Sequence, residues 1–402
     1  MSKQLSSVST SNIQVSGNQD FIVSRYTMRL LYIGMGLGII ALIAGFILTP
    51  QRVWANILLN NFYFLSLAIA GTVWIAILYV SNAGWGIVVR RIPEAMTAFL
   101  PISAVTMLLL YFGMHSLYEW THESTVAANA VLQWKQVYLN IPFFFVRMIF
   151  FLIVWILLTR AITKNSLLQD SNGSIELTHK NVRLSAIFLL IFSLTFSLAS
   201  FDWIMSLEPE WYSTIFAFYN ISGLLHNGIA VIILIVILLR RAGMLLYVNE
   251  NHLHDLGKLL FALSVFWAYI WFSQFMLIWY TNITEEISYF IRRLDGGWYL
   301  PFYLTVLLKW FIPFIALISR PAKRNEKRLF QICIVVIIGH WVDLYTLILP
   351  VFEKSPLFSF YEIFIFLGFV SLFAFIVIRR LGNISLIPVK DPYIEESLRL
   401  HT

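Results

Sequence analysis

Apolar runs separated by short polar stretches set the rhythm of this chain. Runs long enough to cross roughly 30 Å of hydrocarbon fall at about 29–49, 58–80, 94–116, 142–162, 183–205, 213–240, 256–281, 298–318, 328–350 and 357–379. Ten such runs predict ten spanning helices. Polar residues cluster at particular ends of these runs: "ASFDWIMSLEPEW", Ala199 to Trp211, closes the fifth run with three carboxylates, Asp202, Glu208 and Glu210.

The pattern also repeats. The fourth run opens as "YLNIPFFFVR", Tyr138 to Arg147, and the eighth as "YLPFYLTVLLK", Tyr299 to Lys309, each with one basic residue inside the membrane. The runs that follow end as "DWIMSLEP" and "DLYTLILP", with Asp202 and Asp343 each seven residues before a proline. A spacing of four helices preserves direction across the membrane, so spans 2–5 and 6–9 are expected as two parallel four-helix bundles with spans 1 and 10 flanking them. The corresponding segments are 53–210 and 211–352, with 26–52 before and 353–402 after them. Weak symmetry between halves is how many membrane folds disclose where their sites lie.

Composition agrees with that reading. With 59% hydrophobic and 12% charged residues, the chain is too apolar for a soluble domain. Its 14 Trp, 18 Tyr and 34 Phe suit interfacial belts and helix contacts in lipid. Of the 28 Lys and Arg, 21 fall in the tails and in the loops near Arg90, Lys164, Arg240 and Lys323; five (Arg52, Lys135, Arg292, Arg293, Lys354) fall in the alternate loops, and Arg147 and Lys309 lie within spans. The positive-inside rule then places both termini in the cytoplasm and Asp202, Glu208 and Glu210 outside. The net charge of +7 is explained by those loops and calls for no nucleic acid. Residues 1–25 are expected as a disordered cytoplasmic tail leading into a retained helix, because no small-residue cleavage site follows a short apolar core. Outer loops at 119–140, with an amphipathic turn around 127–138, and at 282–297 offer docking surface for an extramembrane partner or serve as plain interfacial loops. The single cysteine, Cys333, excludes disulfides, thiolate-held iron–sulfur clusters and C-x-x-C-H haem attachment within the chain.

Ionisable groups inside a bilayer are costly, which makes each a candidate for function. Arg147 lies at a depth like that of Asp202. Lys309 lies deeper, with Asp343 and His340 as partners, and His340 and Asp343, three apart, share a helix face. Each basic–acidic couple reads either as a clamp between helices or as a proton-handling or quinol-proximal site. In "YNISGLLHNG", Tyr219 to Gly228, Asn220, Gly223 and Asn227 form one stripe with Ser222 and His226 beside it, suited to close helix approach or to proton relay. His115, four before Glu119, Gln274 and Glu362, about a turn and a half into span ten, complete the polar set, which is expected to leave the inner half with little beyond Asn227, Ser264 and the cytoplasmic rim. A b-type haem between His226, His340 or His115 lacks the usual pair of histidines one leaflet apart on a single helix.

Two segments, "SFDWIMSLEPEWYSTIFAFY" (Ser200 to Tyr219) and "YIWFSQFMLIWYTNITEE" (Tyr269 to Glu286), resemble the ActF-type membrane subunits of bacterial alternative complex III, a quinol:electron-acceptor oxidoreductase, which group with ActC and with subunits of NrfD and polysulfide-reductase type. The resemblance extends over the ten-span chain. It implies two four-helix bundles plus flanking helices, a bacterial inner-membrane location, and no covalently bound cofactor, with menaquinone as a candidate ligand. It also implies partners: a homologous ten-span subunit, periplasmic iron–sulfur and c-type haem subunits carrying the redox centres, lipid, and a terminal oxidase supercomplex. Menaquinol contact and proton conduction would follow, with a ligand-free scaffold or a secondary transporter as the alternatives.

Overall fold

The computed structural model describes residues 23–400, so most of the expected N-terminal tail lies outside the described residues. Among them the fold is all-helical, without a strand, and ten helices are long and apolar enough to cross a membrane. These are α1 Arg25–Leu48, α2 Pro50–Val80, α3 Arg91–Leu117, α4 Ile141–Asn172, α5 Ile175–Leu207, α6 Phe216–Arg241, α7 Glu250–Thr281, α8 Tyr299–Leu317, α9 Glu326–Val351 and α10 Phe360–Leu381.

Several helices outrun their apolar stretches. α4 continues to Asn172 and α5 starts at Ile175, so Lys164 and Lys180 stand on helix where hydropathy suggests loop. Backbone hydrogen bonding carries a helix past the hydrocarbon edge until something stops it. Here that is Gly173, in the left-handed conformation at φ 66°. α4 begins where Asn140 accepts a hydrogen bond from the Phe143 amide and Pro142 occupies the first turn. α3 is broken by 3-10 turns at Thr97–Phe99 and Leu110–Gly113. Pro101 removes a backbone donor near the first break.

The two expected bundles are present. In the first, α2 packs on α3 and α5, and α4 on α5 and α3; in the second, α6 packs on α7 and α9, and α8 on α9 and α7. This is the same order of neighbours twice. α2 and α9 meet α6 and each other where the bundles join, and with α6 they are the most buried spans, at 83%, 78% and 72%. Outside the repeat, α1 and α10 pack along each other and against α2. A Cβ on Gly38 would lie 2.7 Å from the Gly368 backbone, so that pair depends on small residues, as close helix contacts in lipid do.

One end of the molecule holds the α5–α6 turn and is called the Glu208 end; the other holds the α2–α3 turn and is called the Arg90 end. At the Glu208 end, the 119–140 segment forms short helices at Glu123–Ala128 and Ala130–Lys135, and the segment before α8, expected as loop, is the amphipathic helix Thr284–Leu294.

Candidate functional site: two buried ion pairs

Both predicted couples form. Arg147 holds Asp202 with two parallel hydrogen bonds, Nε to Oδ2 at 2.7 Å and Nη2 to Oδ1 at 3.0 Å. Its Nη1 donates to the Tyr138 carbonyl at 3.1 Å, and its guanidinium lies 3.8 Å from the Tyr138 ring centroid and 4.3 Å from that of Phe143. Asp202 is fully buried and Arg147 is 8% exposed. Burial raises the Tyr138 phenol above its ordinary range.

Lys309 is differently placed. Its ammonium donates to Asp343 Oδ2 at 2.5 Å, lies 3.1 Å from His340 Nδ1, and sits 4.1 Å from the Trp267 ring centroid. The Tyr219 hydroxyl donates to Asp343 Oδ1. Lys309, Asp343, His340 and Tyr219 are all buried. At about 1.5 Å per helical residue, Lys309 lies about 15 Å below the start of α8, whereas Arg147 lies about 9 Å below the start of α4.

The local backbone explains how a lysine reaches that position. Residues Leu307–Phe311 form a π turn, which takes one residue more than an α turn. In the aligned motifs Lys309 stands ten residues after Tyr299 and Arg147 nine after Tyr138, an offset of one residue. Pro313, four residues on, has no N–H to offer the Lys309 carbonyl, which accepts the Ser264 hydroxyl at 2.6 Å. Two glycines leave room: a Cβ on Gly223 would lie 2.9 Å from His340 Cε1, and one on Gly339 would lie 3.0 Å from Lys309 Cγ.

The α6 stripe divides between two neighbours. Tyr219 and Gly223 face the Lys309 cluster, while Asn227 turns to α2 and accepts the Tyr63 hydroxyl at 3.3 Å. Asn220 only bonds its own helix, to the Phe216 carbonyl. His226 is fully buried with neither ring nitrogen hydrogen-bonded. It follows Tyr219 and Gly223 at helical spacing, which makes it the deeper end of the same face.

Two sequence-level candidates fall outside both sites. His115 is exposed at the Glu208 end beside His122, whose Nε2 lies 2.8 Å from the His115 carbonyl. Glu119, four residues on, lies in a separate 3-10 turn. Glu362 is in the first turn of α10, not a turn and a half within it, because the helix starts at Phe360. It closes a capping box with Ser359 and pairs with Arg52 through two contacts of 2.9 Å.

The carboxylate-rich turn is engaged internally as well. Glu208 pairs with Arg293 at 2.8 Å and Arg292 at 3.3 Å, and Glu210 accepts from the Asn129 amide. Arg293, 2% exposed, also donates to the Thr346 and Leu347 carbonyls, so Glu208 joins the turn between the bundles to the Thr284–Leu294 helix and to α9.

The charges of the opposite half lie at its rim, where they are buried and paired. At the Arg90 end, buried Arg91 pairs with Glu94 and Asp170, Ser166 donates to Glu94 at 2.6 Å, and Arg90 reaches Asp391 at 2.7 Å. These charges flank apolar runs and pass for loop residues in sequence. Helix extension and the 383–400 segment, which lies over them through Asp391 and Ser397, enclose them. Tyr219, Trp267, Arg52 and Arg293 were the other groups missed; the first and last stood in quoted or basic stretches, but their partners are 53 or more residues away. Among the described residues no group of three or more His, Cys, Asp or Glu is placed to hold a metal ion. No protein-family model matches the chain, and no curated protein matches it.

Proposed function

We infer that this chain is a membrane subunit of a quinol-oxidising respiratory complex of alternative complex III type, in a bacterial inner membrane with both termini cytoplasmic, and that its own task is to move protons through the Lys309–Asp343 site. The observation that carries this reading is the buried Lys309 ammonium sharing Asp343 with Tyr219, beside His340. Four groups that can gain or lose protons meet there in one hydrogen-bonded cluster, and quinol oxidation releases two protons with two electrons. The resemblance of the Ser200–Tyr219 and Tyr269–Glu286 segments supports the type of complex, and the skewed Lys and Arg distribution supports the orientation. In this reading the redox centres are haem c and iron–sulfur clusters on partner subunits.

The cavity beside Asp343 is about 10 Å³, enough for a water and too small for a quinol ring. Menaquinol contact, if this subunit makes it, has room instead in an apolar groove of about 440 Å³ between α1, α2, α3 and α10, lined by Leu42, Trp54 and Phe369. The breaks in regular helix, in α3 and α8, fall at positions the repeat does not pair, which weighs against a transporter built on matched broken helices.

The test is Asp343→Asn in the intact complex. Turnover with coupled proton release is expected to fall by about 10²-fold or more, while haem-bearing and iron–sulfur subunits still co-purify. Unchanged turnover in an assembled complex would reduce the pair to a clamp. A quinone-analogue photolabel that marks only a neighbouring subunit would remove menaquinol contact from this chain.

A further inference from the structure

One buried donor near the proton site is unused. Gln274 is 5% exposed and its Nε2 has no hydrogen-bond partner. Ser264, Trp267, Trp271 and Gln274 recur at three- and four-residue steps, so they share the face of α7 that meets the Lys309 carbonyl and ammonium. Gln274 lines the 10 Å³ cavity with Tyr219, Asp343, Thr346, Tyr289 and Arg293. Buried donors are nearly always met by protein or by water, and a cavity of this size with several polar walls suits one water.

The cavity has a roof. Tyr289, Phe290 and Arg293 are the buried face of the Thr284–Leu294 helix, and all three line it. Asn282 at φ 51° precedes that helix, and Gly296 and Gly297 at φ 58° and 89° follow it, so the chain changes direction sharply at both ends. Between these breaks the helix is fastened by the Glu208–Arg293 pair, by the Arg293 hydrogen bonds to the Thr346 and Leu347 carbonyls, and by Trp211, which stacks on Tyr289 at 3.9 Å.

We propose that Gln274 holds a single ordered water over Asp343, and that the Thr284–Leu294 helix is a lid latched by Glu208, whose opening exchanges that water with solvent at the Glu208 end. The last step of this picture rests on the proton reading; the water and the lid do not. In that step the Lys309 N–H bond breaks as the Asp343 carboxyl O–H forms, the carboxyl passes its proton to the water, and the resulting hydronium leaves through the open lid while a neutral water replaces it.

The full-length protein tests this with a thiol reporter, since its native Cys333 is buried. Thr346→Cys, in the cavity wall, is expected to react slowly with a small membrane-impermeant sulfonate thiol reagent, and at least about tenfold faster when Glu208→Gln is added. Equal rates would overturn the lid, and Leu347→Cys gives the same readout if the first reporter misfolds. A density map that resolves waters is expected to place one on the Gln274 amide; an amide bonded to protein instead would overturn the water site. Gln274→Leu should slow proton release on the order of tenfold to a hundredfold. If Asp343→Asn leaves turnover unchanged while the water and the labelling difference hold, the proton reading fails and the lidded site stands.

Discussion

Arg147 meets Asp202 through two parallel hydrogen bonds, with a third donor on a carbonyl and aromatic rings close to its guanidinium. Lys309 meets Asp343 through one, with a histidine nitrogen and a phenol on the same cluster and a water-sized space beside it. The two couples occupy matching helices of the repeat, so the difference lies in what each cation can do. A guanidinium does not give up its proton in a protein, whereas a buried ammonium can. Bidentate geometry also specifies direction in a way that a point charge does not. In the proposed reading, the matching position is a clamp near the rim of one bundle and a titratable centre in the other.

Removing each acid separates these roles most sharply. Asp202→Asn leaves a buried arginine that cannot neutralise itself, and losing one member of a buried pair costs about 3–5 kcal/mol. A marked fall in thermal stability of the detergent-purified protein is expected. Asp343→Asn strands a lysine that can lose its proton, so a smaller fall in stability is expected despite the deeper site. Equal losses would show that Lys309 stays charged without its partner and would erase the distinction. Next in size is Gly223→Ala. The new methyl would press on His340 Cε1 at 2.9 Å and stand 3.5 Å from Lys309 Nζ, and overpacking of this kind costs about 1–3 kcal/mol. Turnover should fall more than stability, because the displaced groups belong to the cluster; a purely stability-linked loss would make Gly223 a packing residue only.

Much of this was legible in the sequence, for reasons that also mark where legibility stopped. Ten helices and their pairing into bundles follow from run length and from two motifs four spans apart, since both depend on local pattern and direction. The couples Arg147–Asp202 and Lys309–Asp343 were legible because a bilayer leaves a lone charge few choices. Charges at helix ends were harder to place. Glu362 read as an intramembrane acid, yet its backbone position makes it a cap for Ser359 and a partner for Arg52, 310 residues away. Arg91 and Asp170 fall outside the apolar runs, because hydropathy records only where apolar residues end and not where the helix does. The Thr284–Leu294 helix has too polar a composition to register as a span, and its place over Asp343 depends on Glu208 from the other half of the chain.

The finest test of the comparison concerns the π turn. Only the second bundle has it, and there the Lys309 carbonyl, which Pro313 cannot serve as a donor, takes the Ser264 hydroxyl at 2.6 Å. Ser264→Ala removes that donor and leaves a buried carbonyl less satisfied, a loss of about 1 kcal/mol, which is small beside the loss of either acid. If the bond holds the lysine in register with His340 and Asp343, the substitution should lower turnover and shift its pH profile, and Ser264→Thr, which keeps the hydroxyl, should restore both. If instead the turn is set by the space between Gly223 and Gly339, the profile will stay in place and stability alone will move. Arg147 offers a control for that outcome: it reaches its acid from an unbroken helix and has no serine beneath its carbonyl, so its couple should be indifferent to the change.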